Sequence, residues 1–185
     1  MWSVGSVLGR SGRGASGPSD EPSVSAAPRE AEPIRVTAMV LRAVHGRPDV
    51  LWIAAYDDAT YHAQSYLVLH PKGNLLIDVP PYQLDVIRAI QRRGGVQYIF
   101  ITHKDDIGAV ASFHEFFQAR VIIHKSEARY VQGVEVEVPF EGDFMLNPDI
   151  AVVHLPGHTP GSSALLDLRP PGVLFIGDAL NINPQ

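Results

Sequence analysis

The sequence contains no cysteine. Disulfides, thiolate metal ligands and a cysteine nucleophile are therefore excluded. It also lacks long apolar runs: stretches such as YLVL and VLFI fall far short of the roughly 18 residues that span a bilayer, so no membrane partner is expected. Positive charge is short as well. Lys and Arg number 15 against 20 Asp and Glu, a net −5, which argues against nucleic acid or an anionic membrane as a main partner. No internal repeat is evident. What remains is an ordinary globular mix, 45 % hydrophobic and 19 % charged. A chain of 185 residues suffices for one domain with a core, or one domain and a tail.

Composition changes near residue 34. Residues 1–33 are dominated by Ser, Gly, Ala and Pro without a periodic apolar face. Such a segment cannot bury enough surface to offset its ordering entropy, and a disordered tail is expected. Up to Asp20 it holds Arg10 and Arg13 but no acidic residue. That Ser-rich, acid-poor character fits an organelle transit peptide, and it lacks the continuous apolar stretch of a secretory signal. The expected location is cytoplasmic, with an organelle as the alternative.

Residues 34–185 carry the expected domain. IRVTAMVLRAV and VLWIAAY read as strands broken by the turn HGRPD, and SYLVLH and NLLIDV as a hairpin across PKG. YQLDVIRAIQRRGG has apolar residues at 84, 86, 87 and 90 and ends in glycine, which predicts a capped helix. YIFIT and RVIIH are strands flanking the helix GAVASFHEFFQA. MLNPDIAVVHLPG, SSALLDL and VLFIGD follow, each short, apolar and bounded by Gly or Pro. Strands, then strand–helix–strand units, then strands again predict an α+β layered domain with more than one sheet.

Four stretches share one design: LLIDVP (75–80), ITHKDD (101–106), LPGHTPGSS (155–163) and FIGDAL (175–180). Each sets His or Asp directly after an apolar strand, where side chains from several strands can converge on a ligand. Each has an ordinary reading too. An Asp105–Asp106 pair often caps a helix, a lone His103 is more often a loop histidine, and Asp78 can simply brace its turn. The ordered series Asp78, His103 with Asp105 and Asp106, His158, Asp178 is what singles them out.

With these motifs the chain resembles the metallo-β-lactamase-fold hydrolase superfamily from about Gln64 to Leu180, and most closely a branch whose first turn reads T-H-R-D-D-V-A-D-H. The resemblance implies a four-layer αβ/βα sandwich with metals at one edge of two sheets, its second half incomplete in a chain ending at Gln185. It implies His103, Asp105, His158 and Asp178 as ligands of one Zn or Fe ion, with Asp178 and Asp106 as catalytic carboxylates. Imidazole and carboxylate suit such ions, and a bound ion drives hydrolysis without a serine or cysteine nucleophile. The second metal site is stripped: Ala109 and Val110 replace an Asp-His pair and Ser162 a His, and both positions are expected to face the cleft or its wall. His114 is expected on a helix surface, His154 in the core or behind the ligands, and His124 and His70 exposed; His45 and His62 carry no usable pattern.

Two readings follow. One is a hydrolase of a small ester, thioester or lactam-like substrate working through the single remaining site. The alternative is a catalytically inactive relative that binds a partner or ligand. A fragment that lacks further strands is a third, and an uncovered apolar sheet edge would then favour a homodimer.

Overall fold

The computed structural model describes residues 40–55 and 63–180. The expected tail, the start of the first predicted strand and His62 lie outside them.

Seven strands make the first sheet in chain order: β1 (Leu41–Val44), β2 (Arg47–Ile53), β3 (Ser65–Val68), β4 (Leu75–Ile77), β5 (Tyr98–Phe100), β6 (Arg120–His124) and β7 (Val138–Phe140). From β1 to β4 neighbours are antiparallel; from β4 to β7 they are parallel. The parallel part needs crossovers, and α1 (Leu84–Gln91) and α2 (Val110–Phe117) supply two of them. The second sheet is antiparallel throughout, in the order β11 (Val173–Phe175), β10 (Ser163–Asp167), β9 (Ile150–His154), β8 (Phe144–Asn147).

Alternation along the strands divides the core in two. Leu51, Ile53, Leu67, Leu76, Ile99, Ile101, Val121 and Ile123 meet Val86, Ile87 and Ile90 of α1 and Val110 and Phe113 of α2. The opposite face, through Val50, Val68, Leu75, Ile77, Phe100 and Ile122, meets Ile150, Val152, Leu165 and Phe175 of the second sheet. Helices, sheet and sheet are thus stacked through one strand period of 2, three of the four expected layers among the described residues. No helix among them is long and apolar enough to cross a membrane.

Several local expectations are corrected. The turn HGRPD shrinks to His45 and Gly46, because β2 already begins at Arg47, which pairs with Val44. MLNPDIAVVH is two strands, β8 and β9, reversed at Pro148 and Asp149. Strand β7 lies in an acidic stretch, VEVEVPFEG, whose weak pattern hid it. Leu84 opens α1 but is 63 % exposed, and the two glycines after this helix take positive φ, Gly95 N–H donating to Ile90 O at 3.1 Å. His70 and His124 are buried rather than exposed.

One buried ionic cluster locks the sheets together. Asp167 of β10, fully buried, receives Arg47 of β2 and a two-pronged contact from Arg169, whose Nε reaches Oδ1 at 2.9 Å and Nη2 reaches Oδ2 at 2.6 Å. Arg47 also reaches Asp49 at 2.8 Å, and Arg169 donates to Leu69 O at 3.0 Å. Burial pushes the Asp167 pKa up, but the bonds from Arg169 and Arg47 outweigh it and hold the carboxyl below its ordinary value.

A second contact between the sheets is a histidine pair. His124 at the end of β6 stacks on His154 of β9, with ring centroids 4.2 Å apart and planes 12° apart. Burial, reinforced by His154, lowers the His124 pKa. The folded state therefore resists a proton that the unfolded chain takes up near pH 6.5, so stability is full above that pH and falls below it. The denaturant midpoint should drop from pH 7 to pH 5 in the native protein, and less steeply in His124→Phe; parallel profiles would refute this.

Candidate metal centre

Four strand-end turns meet at one edge of the two sheets. β4 delivers Asp78, β5 delivers Thr102 and His103, the β9–β10 loop delivers His158, and the turn after β11 delivers Asp178. The first two belong to the seven-stranded sheet and the last two to the four-stranded one. Ser163 N–H donates to Thr102 O at 2.9 Å, which docks the second pair on the first. Gly177, at φ +49°, makes the approach tight: a Cβ there would lie 2.7 Å from Thr102 Cβ.

Asp78 itself adopts φ +51°, uncommon for a residue with a side chain. In that position its buried carboxylate accepts Thr102 N–H at 2.8 Å and Thr102 Oγ–H at 3.0 Å. The hydroxyl proton is thereby committed, so Thr102 Oγ accepts from His103 Nδ1, 3.0 Å away. With Nδ1 turned to Thr102 Oγ, the other ring nitrogen, Nε2, faces Asp105 and Asp178. That nitrogen is buried and has no hydrogen-bond partner.

Around it stand the other expected donors. His103 Nε2 lies 3.8 Å from Asp105 Oδ2 and 3.8 Å from Asp178 Oδ2. His158 Nε2 lies 3.3 Å from Asp105 Oδ2 and 3.8 Å from Asp178 Oδ2. The two imidazoles sit edge to face, centroids 4.8 Å apart. A tetrahedral ion with bonds of about 2.0–2.1 Å spaces its donors about 3.3–3.4 Å apart. Ligand atoms of His103, Asp105 and His158 all lie within 4.8 Å of one another, near that spacing, and Asp178 approaches both histidines; imidazole and carboxylate donors of this kind fit Zn²⁺ or Fe²⁺.

Charge points the same way. Asp78, Asp105, Asp106 and Asp178 crowd a region whose one lysine, Lys104, binds Asp105 Oδ1 at 2.7 Å and lowers the Asp105 pKa. Burial raises the pKa of Asp78, helped by Asp106. Burial likewise raises that of Asp106, helped by Asp178 and Asp105. Asp106 Oδ2 lies 3.6 Å from His103 Nδ1, and His103, Asp106 and Asp178 form a second, overlapping donor group. The helix-cap reading fails for both acids, since neither the turn Lys104–Asp106 nor α2 has a side-chain cap.

The donors open into a cleft of about 880 Å³, with Asp78, Asp105, Asp106, His158 and Asp178 at one end and Val44, Val50, Tyr66, Ile77, Phe175 and Ile176 along its walls. Ala109 and Val110 do not line it, contrary to expectation. Val110 is 2 % exposed and Ala109 packs beside it in the helix–sheet core, because α2 turns that face inward. Ser162 accepts Thr159 N–H at 2.9 Å and shapes the His158 loop. His114 lies outside the site, bonded to Ala119 O at 2.8 Å. His154 stands behind it, its Nε2–H donating to Pro160 O at 2.9 Å in the His158 loop.

Three contributors escape a reading of the sequence. Thr102 is hidden as one polar residue ending an apolar strand. Lys104 reads as an ordinary turn lysine. Glu127, in HKSEA after β6, has no signal marking it, yet it is 2 % exposed and reaches both ligand-bearing loops.

Comparison with known proteins agrees with this fold. The family model for the metallo-beta-lactamase superfamily matches residues 60–185. No curated protein matches by sequence. Among solved structures, a metallo-β-lactamase with a HARLDQ motif from Cronobacter sakazakii is similar at 18 % identity and TM-score 0.61, covering 79 % of this chain and 65 % of that one. BJP-1, a subclass B3 metallo-β-lactamase of Bradyrhizobium japonicum, is similar at 16 % identity and TM-score 0.53, covering 69 % and 59 %. MIM-1 from Novosphingobium pentaromativorans is similar at 19 % identity and TM-score 0.51, covering 64 % and 52 %. This chain spans less than two thirds of the length of each, and at such identities the likeness is one of fold.

Proposed function

The chain belongs to the metallo-β-lactamase superfamily, and from that premise we propose that it is a metal-dependent hydrolase working through one metal site, on a small ester, thioester or lactam-like substrate. The observation that carries the proposal is the buried, unpartnered Nε2 of His103, its ring oriented by the Asp78–Thr102 relay and faced by Asp105 and Asp178. A buried polar atom without a partner is costly, and a cation bound by these donors removes that cost. His103, Asp105, His158 and Asp178 would hold the ion. When bound, Zn²⁺ supplies Lewis acidity towards a carbonyl oxygen and lowers the pKa of its water to about 7.

The protein's own groups do the rest. The apolar walls from Val44 to Ile176 suit the hydrocarbon part of a substrate and exclude water beside it. Asp178, exposed at the mouth, meets the substrate after completing the donor set. Asp106, which lines the same cleft, would serve as the proton acceptor, its carboxyl held above its ordinary pKa by burial.

Titration calorimetry on chelator-treated protein tests the reading. One Zn²⁺ per chain is expected, with weak thioester or β-lactam hydrolysis that a chelator abolishes; two tight sites, or none, would overturn it. Thr102→Val removes the acceptor that fixes the His103 tautomer and should weaken Zn²⁺ binding about 10- to 100-fold. Unchanged affinity in that variant would mean the relay does not orient His103.

A further inference from the structure

We propose that Glu127 is a positioning residue for the metal centre: its buried carboxylate ties the turn bearing His103 and Asp105 to the loop bearing His158 and so sets the spacing between them. The metal consequence rests on the proposed single-site reading, whereas the tie between the loops does not.

The side chain reaches two places far apart in sequence. Glu127 Oε2 accepts Lys104 N–H at 2.7 Å, and Oε1 accepts Gly161 N–H at 3.0 Å. Lys104 lies between His103 and Asp105; Gly161 lies three residues beyond His158. One turn extends from the seven-stranded sheet and the other from the four-stranded sheet. Each oxygen thus holds one ligand-bearing segment by a charge-assisted bond, the stronger kind of hydrogen bond. The base of the carboxylate is itself fixed, since Glu127 N–H donates to His124 O at 2.9 Å at the end of β6.

Gly161 is fitted to this arrangement independently. A Cβ at that position would lie 2.6 Å from both Cγ and Cδ of Glu127 and 2.8 Å from Ser126 Oγ. Gly161 does not have a positive φ, so its backbone does not require glycine; the space taken by Glu127 does. The chemistry is equally particular. Two backbone N–H donors need two acceptor oxygens, and glutamine offers one oxygen and an NH₂ that would face a donor. Glu127→Gln keeps the volume and releases one of the two segments.

The test uses three readouts on the full chain. In the metal-free protein, a nuclear Overhauser contact between the His103 and His158 rings and slow amide exchange at Lys104 and Gly161 are expected. Glu127→Gln should lose the ring contact and speed exchange at one of the two amides, with a cooperative thermal transition retained at a lower midpoint. Its Zn²⁺ affinity, measured against a chromophoric chelator, should fall about 10- to 100-fold. Gly161→Ala, with Glu127 intact, should reproduce these effects and serves if Glu127→Gln fails to fold; combined with Glu127→Ala, its penalty should shrink, since the clash is removed. Retention of the ring contact and of zinc affinity in Glu127→Gln overturns the proposal, as does a native protein without the ring contact. Should the native protein bind no zinc while Glu127→Gln still loses the contact, the tie stands and the single-site reading alone fails.

Discussion

Changing His158 to alanine should reduce Zn²⁺ affinity by at least about 100-fold, more than the loss expected for a residue that only supports a ligand, and should abolish hydrolysis. The same change should leave the metal-free fold intact, because the His158 side chain is 38 % exposed and surface substitutions usually alter stability by no more than about 0.5 kcal/mol. His103→Ala offers the contrast. That ring is 1 % exposed and bonded through Thr102, so its removal should weaken both zinc binding and folding. Competition with a chelator and thermal melts of the metal-free variants separate the two effects. Native-like zinc affinity in His158→Ala would remove His158 from the site and, with it, the single-metal mechanism.

Asp167→Ala should be the most destabilising single change outside the hydrophobic core. It strips the acceptor from Arg47, whose side chain is 4 % exposed, and from Arg169. Removing one partner of a buried ion pair costs about 3–5 kcal/mol, because the remaining charge is left without compensation. Asp49 still contacts Arg47 at 2.8 Å, which places the expected loss near the lower figure, a melting temperature lower by on the order of 10 °C. The pH dependence follows from the lowered Asp167 pKa. A carboxyl held below its ordinary value contributes stability above the unfolded pKa, near 3.9, and loses it as pH falls through the folded value. The native protein should therefore lose part of its advantage over Asp167→Ala below about pH 4. An advantage that stays constant down to pH 2 would count against the depressed pKa, and a small loss at neutral pH against the cluster's structural weight.

Where each strand meets the core was legible because alternation and punctuation agree along most of the chain: SYLVLH, PKG and NLLIDV became two strands and their turn. Where polar residues form part of a strand, the signal fades. Arg47 and Asp49 read as turn residues, yet they lie in β2, because Asp167 and Arg169 across the sandwich satisfy the arginine. Likewise β7, flanked by glutamates, is held by parallel pairing with β6, which nothing within its own few residues announces. At the site, the three turns that carry His103 with Asp105, His158 and Asp178 lie together at one edge of the sheets. Val110 does not face the cleft, because the residue's direction depends on how α2 packs on the sheet. Thr102 and Glu127 could not be singled out either, since each acts through a contact made only once distant turns are adjacent.

The division of the donors between the sheets has a thermodynamic corollary. His103 and Asp105 follow a strand of one sheet, and His158 and Asp178 follow strands of the other. A cation held by all four is a cross-link between the sheets, so its binding energy and the docking energy of the sandwich are one linked quantity. An ion at a free concentration of 100 times its Kd adds about 2.7 kcal/mol to the folded state. By the same linkage, a substitution that loosens the sheets at their far end, such as one at Asp167, weakens the ion's apparent hold to the extent that it depopulates the docked state, without touching a ligand.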